Sequence, residues 1–182
     1  MIAQIDHAAG VVKRMREFLR RGEPHISTIN VRALIDDARI LVGTEGSDTP
    51  IRIDIDASPD LPPVHADRVQ LQQVILNLVQ NSIDAVDAAG RSDGQIRIAA
   101  MLMENPRRIE IAVADNGAGI APDLAQRLFE PLTTSKREGL GLGLSICATI
   151  VQSHHGRLWL QSGAPGATEF RFWLPLQQAT AS

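Results

Sequence analysis

The sequence predicts an α/β two-layer sandwich, a mixed sheet with helices on one face, preceded by one amphipathic helix. Three observations predict it. Strand-like and helix-like segments alternate in groups, a helix of about 20 residues lies in the middle of the chain, and the chain closes on two strand-like runs. With 182 residues, 44% hydrophobic and 21% charged, there is enough chain for one globular domain with a sizeable core and a short appendage.

The elements follow in order. Ile2, Ile5, Ala9, Val12, Met15, Phe18 and Leu19 recur three or four apart, which makes an amphipathic helix to about Arg21, closed by Gly22 and Pro24. Its other face carries Lys13, Arg14, Arg16, Arg20 and Arg21, either a basic binding surface or a solvated helix face. "HISTINV" reads as a short strand and "VRALIDDARILVG" as a helix closed by Gly43. "IRIDIDA" alternates strictly, as a half-buried strand does, and "SPDLPP" breaks regular structure. Asp67 caps the next helix, with Gln70 in a capping-box position, and apolar spacing runs on to Val86 before Gly90. "QIRIAAMLM" and "RRIEIAVAD" form a hairpin about "ENPR". Residues 116–143 are glycine-rich with a short helical piece at "DLAQRLF", then a helix runs from Leu142 to Ser153. The strands "GRLWLQS" and "TEFRFWLP" complete the chain, with no internal repeat.

Charge and cysteine content narrow the function classes. A net charge of −3, from 18 basic and 21 acidic residues, supplies no general field for nucleic acid or an anionic membrane surface. An anionic ligand must therefore be held locally. The single Cys147 makes no internal disulfide, and no run approaches the roughly 18 apolar residues of a membrane span. The polypeptide reads as soluble and cytoplasmic, without a secretory signal.

The central helix contains "LQQVILNLVQNSIDAV", in which Asn77 and Asn81 stand among Leu, Ile and Val. At about 100° per residue these two lie about 40° apart and Asp84 returns close to Asn77, so the three form one polar stripe. Such a stripe either hydrogen-bonds neighbouring loops or, through amide oxygens, ligates a hard ion such as Mg²⁺ that shares phosphate oxygens. The second reading needs a phosphate site, and two stretches could supply it. "VADNGAGI" fixes Asp115 at a strand end, with Gly117 and Gly119 letting backbone approach a ligand. "EGLGLGLSI" puts Gly139, Gly141, Leu142 and Gly143 immediately before a helix, where N–H groups and the helix dipole favour an anion; glycines there also permit close packing. Between them "FEPLTTSKREG" carries Thr134 and Lys136 in a polar segment, a lid at about residues 120–140. A P-loop pattern and a Rossmann fingerprint are both absent.

Taken in order, the asparagine helix, "DNGAG", "FEPLTTSK", "GLGLGLS" and "GATEFRFWLP" resemble the N, G1, F, G2 and G3 boxes of the catalytic ATP-binding domain of two-component sensor histidine kinases. The resemblance covers about residues 25 to 176 and implies the Bergerat fold shared with gyrase, the Hsp90 chaperones and the MutL repair ATPases. It implies that ATP and Mg²⁺ bind, that Asn81 ligates the metal with Asn77 and Asp84 beside it, and that Asp115 accepts a hydrogen bond from the adenine amino group. Gly117 and Gly119 would lie under the purine, and Gly139, Gly141, Leu142 and Gly143 near the phosphates. Thr134 and Lys136 match lid contacts, and Thr168 matches a threonine that helps enclose the base. Cys147 reads as core.

Two departures qualify the resemblance. Hydrolytic relatives and the anti-sigma serine kinases carry a glutamate base one turn before the metal asparagine, whereas this chain has Asn77, which cannot accept a proton at neutral pH. Histidine phosphorylation needs less base assistance, so Asn77 favours a histidine kinase over an ATPase; a degenerate module acting by contact alone is the remaining alternative. The phosphoacceptor histidine of the family is followed by Glu or Asp, and none of His7, His25, His65, His154 or His155 is. His154 and His155 read as a helix C-terminus capped by Gly156. Residues 1–22 resemble the C-terminal part of a dimerisation helix from kinases related to the oxygen-sensing and nitrogen-regulation sensors, and 23–182 the catalytic domain. The implied partners are the dimerisation and phosphoacceptor domain of the same kinase and the receiver domain of a response regulator, in a parent that is a homodimer and is anchored in the membrane or free of it. The fragment alone is not expected to autophosphorylate.

Overall fold

The computed structural model describes residues 24–42, 50–133 and 141–176. The amphipathic helix expected before residue 22 and its closure, and Gly43, lie outside the described residues. Among the described residues eleven elements follow in order: β1 (Ile26–Ile29), α1 (Val31–Val42), β2 (Ile51–Ala57), β3 (Val64–Asp67), α2 (Arg68–Ala88), β4 (Gly94–Glu104), β5 (Arg107–Asp115), α3 (Pro122–Ala125), α4 (Gly143–Ser153), β6 (Arg157–Ala164) and β7 (Ala167–Pro175).

Five strands form the main sheet in the order β2-β4-β5-β7-β6, with β2 parallel to β4 and the other pairs antiparallel. The sheet is therefore mixed, as expected. Alternation decides its two faces. Ile96, Ile98, Ile109, Ile111, Val113, Phe170, Phe172 and Leu174 point inward and are buried with Leu71, Val74, Ile75, Leu78 and Val79 of α2 and Ile146, Cys147 and Val151 of α4. The opposite face carries no helix among the described residues. Arg171 instead binds Glu110 through Nη1 at 2.9 Å and Glu169 through Nε at 2.6 Å, while Arg108 stacks 5.2 Å from the centroid of Trp173. These long side chains bury Glu110 to 5% exposure and cover the small floor of Ala99 and Ala112.

Two local expectations need correction. The segment after "SPDLPP" contains β3, which pairs antiparallel with β1 from Ile26↔Asp67 to Ile29↔Val64. Its four residues offer only Val64 and Ala66 as an apolar face, too short a period to identify from sequence. The second correction concerns the capping box. Asp67 does cap α2, its Oδ1 accepting from Val69 N at 2.9 Å and Gln70 N at 3.1 Å. The Asp67 N–H, however, goes to His154 Nε2 at 2.9 Å and not back to Gln70. At the end of α4 it is His155, with φ of 61°, that takes the left-handed conformation. Gly156 is needed for a different reason: a Cβ there would stand 2.1 Å from the Trp173 carbonyl oxygen.

Candidate functional site

At one end of the sheet, on the helix-covered side, β5 stops at Asp115, whose Cα partners are Ile96 of β4 and Thr168 of β7. Asp115 is only 6% exposed, and its Oδ1 accepts the Gly117 N–H at 2.9 Å. Burial pushes its carboxyl above the ordinary carboxylate value, and hydrogen bonding from Gly117 and from the Ser82 hydroxyl, with the nearby Thr168 hydroxyl, opposes the shift without cancelling it. Thr168 acts on that charge by proximity only; its Oγ1 is buried and makes no bond of proper geometry. A buried polar atom without a partner costs about 1–3 kcal/mol. A carboxylate and a hydroxyl are thus held side by side in the interior, and Oδ2 together with Thr168 Oγ1 suits a ligand edge that both donates and accepts.

The loop after Asp115 is pinned from two sides. Ala118 N donates to Ala85 O of α2 at 3.0 Å, and a Cβ on Gly117 would stand 2.6 Å from the Ala85 carbonyl carbon. Across the loop, Ile120 N donates to Gly163 O at 2.9 Å and Gly166 N to Gly117 O at 2.8 Å. Gly119, with φ of 80°, lies against Pro165 where a Cβ would reach 2.7 Å. Asn116, by contrast, belongs to the fold: its Oδ1 accepts from Gln95 N and its Nδ2 donates to Asp93 O, both at 2.8 Å.

Asn77, Asn81 and Asp84 lie half-buried along α2, as the stripe predicted. Asp84 accepts from Gln80 Nε2 at 2.9 Å, and the Asn77 amide lies against the Cys147 thiol. That thiol is fully buried, its Sγ 3.9 Å from Val74 O, and burial pushes it up to about 12, so Cys147 is core. Hard amide and carboxylate oxygens one turn apart suit Mg²⁺ arriving with its own phosphate and water ligands. No group of three or more His, Cys, Asp or Glu among the described residues forms a self-sufficient metal cage.

Thr134, Lys136 and Gly139 lie outside the described residues. Thr133 and Gly141, on either side of that segment, touch. Gly141 has φ of 63°, and a Cβ on it would stand 2.5 Å from Thr133 O. Leu142 occupies the N-cap of α4 with no side-chain capping bond, and a Cβ on Gly143 would meet nothing within 4 Å. Among the described residues nothing crowds the N-terminus of α4 at Gly143, and a helix N-terminus is an arrangement that can receive an anion. A separate cavity of about 240 Å³ reaches Asp115 and Thr168 but is walled by Arg97, Ala114 and Glu169 on the helix-free face and touches no asparagine of the stripe. It reaches the Asp115 end of the site and not the asparagine stripe.

The structure brings Asp115, Gly117, Gly119 and Thr168 into one cluster and places Asn77 and Asn81 on the helix that packs against α4. Sequence reasoning missed Ser82 and the backbone of Ala85. A lone hydroxyl among buried aliphatics, 2% exposed, was the signal for the first; a carbonyl leaves none.

Known proteins resemble this chain over the same region. The family described as histidine kinase-, DNA gyrase B-, and HSP90-like ATPase matches residues 66–178. Sensor protein FixL of Bradyrhizobium diazoefficiens is 35% identical over 170 residues, which are 92% of this chain and 33% of FixL. Full-length ShkA, solved in complex with AMPPNP, superposes with a TM-score of 0.81 at 27% identity, covering 97% of this chain and 37% of ShkA. Histidine kinase ThkA, solved in complex with the response regulator protein TrrA, gives a TM-score of 0.76 at 26% identity, covering 97% of this chain and 49% of the ThkA chain. The chain thus spans half or less of the length of each of these proteins.

Proposed function

The chain belongs to the family of histidine kinase-, DNA gyrase B- and HSP90-like ATPases, and from that premise we propose that it is the ATP-binding catalytic module of a sensor histidine kinase. In the complete protein it delivers the γ-phosphoryl group of Mg-ATP to a histidine of the dimerisation domain, from which a response regulator takes it. The observation that carries this reading is the Asp115 cluster. A buried carboxylate with one oxygen already engaged by Gly117, next to the unpartnered hydroxyl of Thr168, matches the amino group and ring nitrogen of adenine. The likeness to ShkA, which was solved with AMPPNP, supports the same ligand.

Each residue then has a task. Asp115 Oδ2 accepts the adenine amino proton, and Gly117 and Gly119 keep side chains from the face of the base. Asn81 would supply a ligand oxygen for Mg²⁺, and the ion would contribute neutralisation of phosphate charge. The N-terminus of α4 at Gly143 receives phosphate oxygens, and the stems at Thr133 and Gly141 carry a lid in which Thr134 and Lys136 reach the phosphates. The acceptor imidazole nitrogen attacks the γ-phosphorus, an N–P bond forms, the bond to the β-phosphate oxygen breaks, and ADP leaves. The acceptor comes from outside residues 23–182, and residues 1–22 belong to the dimerisation domain of a homodimeric parent.

Asn77 supports transfer over hydrolysis, because an amide at that position cannot take a proton from water. No helix among the described residues is long and apolar enough to cross a membrane; a module that consumes ATP works in the cytoplasm. The test is labelled ATP supplied with a separate dimerisation domain. Label on a histidine of that domain is expected; steady phosphate release by this chain alone, with no protein labelled, would replace the reading with an ATPase.

A further inference from the structure

We propose that His154, with Cys147 as a second contact, sets the register between the two helices that carry the halves of the phosphate site, and so acts as a positioning residue for the nucleotide phosphates. The proposal rests on the ATP-binding reading above.

His154 closes α4 and is 6% exposed. Its Nδ1 lies 2.8 Å from the Ile150 carbonyl oxygen, which assigns the proton to Nδ1 and leaves Nε2 as an acceptor. Nε2 takes the Asp67 N–H at 2.9 Å. Asp67 in turn caps α2 through Oδ1 and receives the His25 N–H on Oδ2 at 2.9 Å. One imidazole thus ties the end of α4 to the start of α2, doing across helices what Gln70 would do within a capping box.

The second contact fixes direction and register. Seven residues on from Asp67 along α2 is Val74, and seven back from His154 along α4 is Cys147; these two meet, Sγ to carbonyl oxygen, at 3.9 Å. Equal steps in opposite directions make the helices antiparallel in a single register. Four more steps bring α2 to Leu78, between Asn77 and Asn81, and bring α4 to Gly143, its first residue. The open N-terminus that receives phosphate therefore lies opposite the stripe that holds Mg²⁺, at a position counted from His154. A slip of one residue would move Gly143 by about 1.5 Å along α2. Alignment errors near 1 Å already disturb a site that works by positioning.

The test compares Mg-AMPPNP, which uses both halves of the phosphate site, with adenosine, which uses only the Asp115 cluster, by calorimetry on this chain. His154→Leu keeps the bulk and removes the acceptor; His154→Gln offers Oε1 to the Asp67 N–H. The expected result is a loss of about tenfold in Mg-AMPPNP affinity for His154→Leu, with adenosine affinity unchanged and most of the loss restored in His154→Gln. Cys147→Ala, which removes the contact with the Val74 carbonyl oxygen together with the thiol that lies against Asn77, should show the same selective loss at smaller size and carries the test if His154→Leu does not fold. Equal loss of both ligands, loss of neither, or a Gln variant no better than Leu overturns the proposal. Failure of the unaltered chain to bind either ligand fails the ATP-binding reading itself and this proposal with it.

Discussion

Asp115 and Gly143 mark the two ends of the proposed nucleotide site, and they are held by different means. Asp115 ends a central strand, with paired strands on both sides and a loop wedged between Ala85 and Pro165, so its position is set by main-chain hydrogen bonds on every side. Gly143 begins a helix with no side-chain cap, close to where Thr133 and Gly141 touch. The base end is a rigid part of the sheet. The end proposed for the phosphates depends on how two helices pack.

The largest effect should come from breaking the rigid end. Gly117→Val places a side chain where only 2.6 Å separates Cβ from the Ala85 backbone, which cannot yield as a side-chain tip can. A destabilisation of about 1–3 kcal/mol or more is expected, with loss of nucleotide binding. Thermal melting within a degree of the unaltered protein would show that the loop is not wedged.

Asp115→Asn comes next and separates binding from stability. With Oδ1 still held by the Gly117 N–H, the amide must turn its NH₂ toward the adenine amino group, donor against donor. Affinity for both adenosine and ATP should fall roughly ten- to a hundredfold. The melting temperature should hold or rise at neutral pH, because a destabilised buried charge has been removed. Preserved adenosine affinity would move the base elsewhere.

Titration tests the same carboxylate. Its folded value stands above the ordinary 3.8, so for this group the folded state gains from protonation. That contribution is fully present below the unfolded value and is lost as pH rises through the raised one. Adenine binding needs the ionised form and runs the other way: affinity should fall as pH drops through the raised value, at a pH where an ordinary carboxylate is still ionised. A binding curve flat down to pH 3.8 would deny the role of the charge.

The remaining two variants probe the end proposed for the phosphates. Asn81→Ala should weaken Mg-dependent ATP binding about tenfold and leave adenosine unaffected, measured by calorimetry with and without Mg²⁺. Gly143→Ala should change least. Its Cβ meets nothing within 4 Å among the described residues, so the fold should gain up to about 0.5–1 kcal/mol, while the methyl group crowds a phosphate and costs a few-fold in affinity. An affinity gain would place the phosphates away from α4.

Much of this site was legible in the sequence because its parts are local. The stripe of Asn77, Asn81 and Asp84 follows from helical period, the strand-end position of Asp115 from alternation up to "DNGAG", and the glycines proposed to face phosphate from their place before a helix. Ser82 was lost because a hydroxyl looks like any small residue on an apolar face until its partner is known. Strand β3 was lost because four residues carry too little periodicity, and the capping box was misassigned because the acceptor for the Asp67 N–H comes from residue 154.

The sequence by itself determined the types of the longer elements, their inward faces, and which residues are candidates to meet a nucleotide, since these depend on spacings of two to four residues and on side-chain chemistry. Only the tertiary structure decided that Thr168 faces Asp115, that Ala85 forbids a side chain at Gly117, and that His154 ties α4 to α2. Those contacts join residues between 32 and 87 positions apart, and the physical reason they escape the sequence is that long-range register is chosen by packing of the whole core, not by any segment within it.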